Sequence, residues 1–293
     1  MEKSKELIYG LNDRPPLRET VFAALQHLLA IFVAIITPPL IISSALKFDL
    51  ATTGYLVSMS LFVSGLATLI QCRRFGPIGA GLLCIQGTSF SFISPIIGAG
   101  MLGMVNHKMN VELGLSYIFS ACLVASVVEM VVSRLLPYTR KIITPLVSGI
   151  VVTLIGMCLI KAGISSCGGG QTAIDNHTFG SMRYLGLALL VLVSIIFFNR
   201  SSNRFLRMAS IVLGLLIGCV AAYALKMIDF STLKGSGGII IPTIFKYGFR
   251  LDLGAVIGLG LIYLVTAVEA YGDITANSLI SGEPVEGPVF LKR

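Results

Sequence analysis

The 293 residues are 55 % hydrophobic and only 12 % charged, with a mean hydropathy of +0.89. A soluble domain carries about 25 % charged residues, so this composition excludes an ordinary water-soluble domain and indicates an integral membrane protein. The formal charge of +8 comes from basic residues lying between apolar runs and not in one patch, which points to membrane topology and away from a nucleic-acid partner.

The N-terminal segment, residues 1–19, is polar and mixed in charge. It has no signal-peptide pattern, so the first apolar run is expected to stay as a span. Span 1 is predicted over 20–46, with Pro38-Pro39 kinking or breaking it. Span 2 follows over 55–70. Span 3, over 77–100, is unusual. Its middle, Gln86-Gly-Thr-Ser-Phe-Ser-Phe-Ile-Ser-Pro95, alternates polar and aromatic residues at a strand period, and Pro95 disfavours helix at Ser94. Non-helical backbone at membrane depth is tolerated only where it lines a cavity or is buried in protein. Spans 4, 5, 6 and 7 are predicted over 113–136, 142–166, 184–198 and 206–225. A polar loop over 226–252 precedes span 8, residues 253–280. Most of these runs are near the ~20 residues that a helix needs to cross a bilayer. With the N-terminus inside, 14 of the 22 basic residues fall on the inner side, which favours a cytoplasmic N-terminus.

The chemistry concentrates in span 8, in Val265-Thr-Ala-Val-Glu-Ala-Tyr-Gly-Asp-Ile-Thr-Ala-Asn-Ser278. Glu269 and Asp273 are four residues apart and share one helix face. An acidic pair inside a membrane-length segment is costly and usually faces a cavity or a partner. A carboxyl group in such a place can hold and release a proton near neutral pH, and when ionised it can accept two N–H bonds from a flat heterocycle. The plainer alternative is a helix end with two solvated carboxylates. In span 3, Thr88, Ser89 and Ser91 offer hydroxyls, and Phe90 or Phe92 offers a face for stacking. The alternative there is ordinary packing, with the hydroxyls bonded to their own backbone.

Other polar positions carry less. His27, after Gln26 in span 1, reads first as a structural donor. Ala34, two turns further on, reads first as a packing residue. Glu129 and Arg134 in span 4 do not share a face well, and Glu129 reads as structural. Gly168-Gly-Gly170 lacks the Gly-Lys-Ser/Thr ending of a phosphate loop and reads as a flexible loop. The six cysteines have no C-x-x-C spacing, so they read as buried thiols and not as a disulfide or zinc framework. No metal site, cofactor motif or catalytic constellation stands out, and an enzyme is not expected.

Gln26-His27, Gln86-Gly-Thr-Ser-Phe90, and Glu269 with Gly272-Asp273 together resemble the nucleobase–ascorbate transporter family, in wording closest to its bacterial xanthine permease branch. Leu11-Asn-Asp-Arg-Pro-Pro16, Ile143-Thr-Pro-Leu-Val-Ser-Gly149 and Glu283-Pro-Val-Glu-Gly-Pro288 add to the likeness, which covers nearly the whole chain. The resemblance implies an all-α membrane fold of fourteen spans in two inverted repeats of seven. Span 3 would contain a short strand, and substrate would sit between spans 3, 10 and 8. Residues 20–136 would supply core-domain spans 1–4 and residues 142–225 the gate-domain spans 5–7. Residues 226–252 would form an extracytoplasmic loop, 253–280 core span 8, and 281–293 the start of a cytoplasmic loop.

By the same resemblance Glu269 is the substrate-binding acid and Asp273 a second functional carboxylate. Ser89 and Phe90 touch the base, Ala34 lies near it, and His27 and Gln86 organise the site or the proton coupling. The function implied is proton-coupled uptake of a purine nucleobase, xanthine favoured, across a bacterial inner membrane by alternating access. A homodimer is a family-level expectation. Uracil, urate or another solute on the same fold is one alternative, and a non-transporting membrane fragment or sensor is another. The chain ends at Arg293, soon after span 8. A C-terminal truncation is therefore expected, with the family's spans 9–14 missing and no transport by these 293 residues alone.

Overall fold

A computed structural model describes residues 9–73, 75, 78–105, 110–139, 150, 153–154, 156–157, 160, 163–203, 206–207, 209–228, 242–243 and 245–284. Among them the regular structure is helical and no strand forms. Helix α1 is Leu17–Ala45, α2 Leu50–Arg73, α3 Ile93–Val105 and α4 Val111–Thr139. A 3-10 turn over Phe90–Phe92 leads into α3. The short α5 is Gly170–Asp175, followed by α6 Met182–Asn199, α7 Ser210–Ala224 and α8 Leu253–Ile280. Helices α1, α2, α6, α8 and the Val111–Ser133 part of α4 are long and apolar enough to cross a bilayer. Helix is the natural solution for these runs, because it satisfies every interior backbone group without water. The expected span 5 lies largely outside the described residues, and so does most of the 226–252 loop.

The prolines bear on two expectations: the break at Pro38-Pro39 does not form, and Pro95 does not keep Ser94 out of the helix. Helix α1 is not broken at Pro38-Pro39 but continues through both to Ala45. Each proline removes one amide donor, and the Thr37 hydroxyl back-bonds to the Val33 carbonyl one turn earlier at 2.7 Å, as threonine does within helices. Ser94 is helical despite preceding Pro95. Pro95 falls in the first turn of α3, where its missing N–H has no intrahelical partner to lose.

The short strand expected in span 3 is also not formed. Ser89 is extended (φ −88°, ψ 133°), but among the described residues no second extended segment gives it a ladder. The segment from Gly79 to Ser89, termed the break below, has no regular structure.

The chain divides into two compact units. The first takes its described residues from Met59–Met157 and Pro242–Arg293, with those of Met1–Arg14. Here α4 packs against both α3 and α8, and the 3-10 turn touches α3 and α8. Close approach depends on small residues. A Cβ on Gly103 would strike the Tyr117 ring, and one on Gly114 would strike Met104 and the Gly100 carbonyl. Ala121 and Ala125, one turn apart on α4, are fully buried. Asp252 caps α8, accepting from the Ala255 amide at 2.8 Å. Just before it, the Arg250 amide donates to Ser120 Oγ at 2.9 Å and Tyr247 stacks on Phe119, fixing the entry to α8 against α4.

The second unit takes its described residues from Pro15–Ser58 and Cys158–Ile241. Helix α7 packs on α6 and α1, and α5 packs on α1. Gly214 and Gly218 on α7 leave room for Ile195 and Val191 of α6. Asp49 precedes α2 and accepts from the Thr52 amide at 3.4 Å. Bonding to Thr52 holds the Asp49 carboxyl below its usual range. Gly168-Gly-Gly170 forms a tight turn into α5. Gly169 and Gly170 adopt positive φ, and Gly169 lies under Tyr184 and Ala173.

Candidate functional site

The break is tied to α2 through the backbone of Gln86. The Gln86 amide donates to Thr68 Oγ1 at 2.9 Å, and the Ser64 hydroxyl donates to the Gln86 carbonyl. Ser64 and Thr68 are one turn apart on α2, so two hydroxyls on one face replace the helical bonds that the break gives up. Among the described residues the Gln86 side chain reaches only the Cys84 carbonyl, at 3.5 Å. Gln86 is therefore held by its main chain more than by its amide.

On its other side the break runs along α8 in the opposite direction. Cys84 meets Asn277, whose Nδ2 donates to Sγ at 3.2 Å. Ser89 is the hydrogen-bonding neighbour of the Glu269 carboxyl. The Phe92 ring meets Tyr263 edge-on, with centroids 4.8 Å apart. From Tyr263 to Asn277 an α-helix rises about 21 Å at 1.5 Å per residue. Eight helical residues would cover only about 12 Å, whereas eight extended ones reach about 26 Å. The stretch from Cys84 to Phe92 must be largely extended to keep all three contacts.

Ser89 has a defined orientation. Its Oγ accepts from the Ser91 amide at 3.3 Å, which leaves its own O–H free to donate. Glu269 is half-buried and Asp273, one turn on, is exposed. The two carboxyls are electrostatic neighbours. Among the described residues no main-chain carbonyl takes the amides of Gly87 or Phe90. The arrangement places a carboxyl acceptor, a hydroxyl and main-chain donors along one edge. That set can hydrogen-bond a flat molecule carrying adjacent N–H and C=O groups.

Of the expected site residues, Glu269, Asp273, Ser89, Phe90 and Gln86 lie in the first unit. Phe90 begins the 3-10 turn and is half-buried, and the ring that contacts α8 is Phe92. His27 and Ala34 lie on α1 in the second unit, His27 exposed and Ala34 half-buried. The Gln26 and Arg134 side chains lie outside the described residues. Half-buried Glu129 and Cys122 on α4 are electrostatic neighbours of Tyr263. Among the described residues no group of three His, Cys, Asp or Glu could hold a metal.

Ser64, Thr68, Cys84, Tyr263 and Asn277 carry contacts that the sequence did not announce. A signal existed for three of them. Asn277 lies eight residues beyond Glu269, on the face that holds Asp273, and the Ser64/Thr68 hydroxyls repeat at i, i+4.

A model of the Permease family matches residues 18–293. The chain belongs to that family. The resemblance to nucleobase–ascorbate transporters holds. It is 45 % identical to xanthine permease XanP of Escherichia coli K12 over 99 % of its own length and 63 % of that protein's. It is 43 % identical to xanthine permease XanQ of the same strain, over 98 % of this chain and 62 % of XanQ. It is 30 % identical to the uric acid-xanthine permease of Emericella nidulans, over 97 % of this chain and 54 % of that protein. The permease chain thus spans under two thirds of the length of these curated relatives.

Proposed function

We propose that this permease chain forms the substrate-binding front part of a proton-coupled purine transporter, with xanthine the favoured substrate. The observation that carries it is the Glu269 carboxyl facing Ser89 across the break, in a chain 45 % identical to a xanthine permease. An ionised Glu269 accepts two ring N–H bonds, Ser89 and the amides beside it meet the ring carbonyls, and Phe90 offers a stacking face. The family resemblance assigns Asp273, His27 and Gln86 to organising the site or the proton path and Ala34 to the neighbourhood of the substrate. Substrate and proton then stabilise the same state, and a core carrying both moves against a gate to open on the other side. Residues 20–136 and 253–280 are assigned to that core and 142–225 to the gate. The protein lies in a bacterial inner membrane with its N-terminus in the cytoplasm, and homodimerises.

The test is uptake of radiolabelled xanthine by cells that lack their own purine permeases and express the gene read to its natural stop. Uptake abolished by a protonophore and competed by purines is the expected result. Uptake that survives the protonophore removes the proton from the account. The uric acid-xanthine relative favours a second reading, in which urate is the preferred substrate. Competition with urate separates the two.

A further inference from the structure

The break has few bonds of its own, so something must fix its register along α8. We propose that Asn277 is a positioning residue that sets this register and so holds Ser89 opposite Glu269. Asn277 lies two turns beyond Glu269 on the same face. Its Nδ2 donates in two directions, to the Asp273 carbonyl at 3.0 Å and to Cys84 Sγ at 3.2 Å. The first bond orients the amide on its own helix. The second crosses to the break at Cys84, which is only 7 % exposed. A thiol is a weak acceptor, so this bond is weaker than an ordinary amide hydrogen bond, but it joins the half-buried Asn277 amide to the buried Cys84.

The position of the tie explains its effect. On the α2 side the break is fixed at Gln86, and on the α8 side at Cys84. These two neighbouring anchors leave little freedom for the short path from Gln86 to Ser89. Without the Cys84 anchor the break is held on the α2 side at Gln86 and meets α8 only towards its far end, at Ser89 and through the Phe92–Tyr263 contact. Asn277 touches no substrate in this scheme. It acts through Cys84 on the placement of Ser89. The proposal deepens the purine-site reading and rests on it for its meaning, but the test below needs no substrate.

The experiment measures cross-linking between Ser89→Cys and Glu269→Cys with a short bis-methanethiosulfonate reagent, in membranes containing the 293-residue chain. The background carries Cys84→Ser, which keeps an acceptor, and alanine at the other cysteines. Adding Asn277→Leu should slow the 89–269 cross-link about fivefold, the factor that one ordinary hydrogen bond sets. Placing Cys84→Ala in the background instead should slow it equally. A control pair, Val128→Cys with Gly260→Cys across α4 and α8, should cross-link at an unchanged rate. An 89–269 rate that neither variant alters overturns the proposal. So does an equal fall in the control pair, which would make Asn277 a general packing residue. Absence of xanthine transport would defeat the purine reading and leave this result standing.

Discussion

Phe92 meets Tyr263 edge to face, at 4.8 Å between centroids and 67° between planes. One ring belongs to the turn that ends the break and the other to α8, so this pair closes the junction between them. An aromatic pair is worth about 1 kcal/mol beyond the area it buries. Tyr263→Ala should therefore lower stability in detergent by roughly 2 kcal/mol once lost packing is included. Tyr263→Phe keeps the ring and should cost well under half of that. Denaturant titration of the purified variants checks the order.

Thr68 holds the Gln86 amide from α2. Thr68→Ala leaves that amide without its acceptor, at a cost of about 1–3 kcal/mol. Thr68→Ser keeps the hydroxyl and should be nearly neutral. Beyond stability, Thr68→Ala should expose Cys84, and N-ethylmaleimide should label that thiol faster than in the parent protein. Equal labelling of both would show that Thr68 does not hold the break.

Much of this was legible in the sequence. The apolar runs placed α2, α4, α6, α7 and α8 to within a few residues, because a membrane-length run has few other solutions. The break showed itself as a strand-like period in a span that should be helical. Helix α1 runs through Pro38-Pro39 and α3 includes Ser94; the first-turn position that makes Pro95 harmless is visible only in three dimensions. Glu269 was legible because a carboxyl at membrane depth is expensive. Asn277 and Thr68 were not, because a polar side chain near a helix end has many solvated explanations and its partner is far away in sequence.

Gly218 of α7 packs directly under Val191 of α6, whereas nothing lies within 4 Å of a Cβ placed on Gly186. Gly218→Ala should destabilise the α6–α7 pair. Gly186→Ala should be neutral or stabilising by up to about 1 kcal/mol, since alanine favours helix. Thermal unfolding of the two single variants in detergent would show the contrast, and equal effects would contradict the packing described.

Asp252 closes the N-terminus of α8 through the Ala255 amide. Asp252→Ala should cost about 1 kcal/mol, and Asp252→Asn should recover most of it, because asparagine is as good a cap. Hydrogen exchange at the Ala255 amide reads the local effect.

The central claim is that Glu269, facing Ser89, binds a purine and couples it to a proton. Accumulation of radiolabelled xanthine by cells expressing the gene read to its natural stop, compared with Glu269→Gln, tests it most directly. The account predicts that the parent accumulates xanthine and that the variant, present in the membrane in equal amount, does not. Normal accumulation by Glu269→Gln would contradict it.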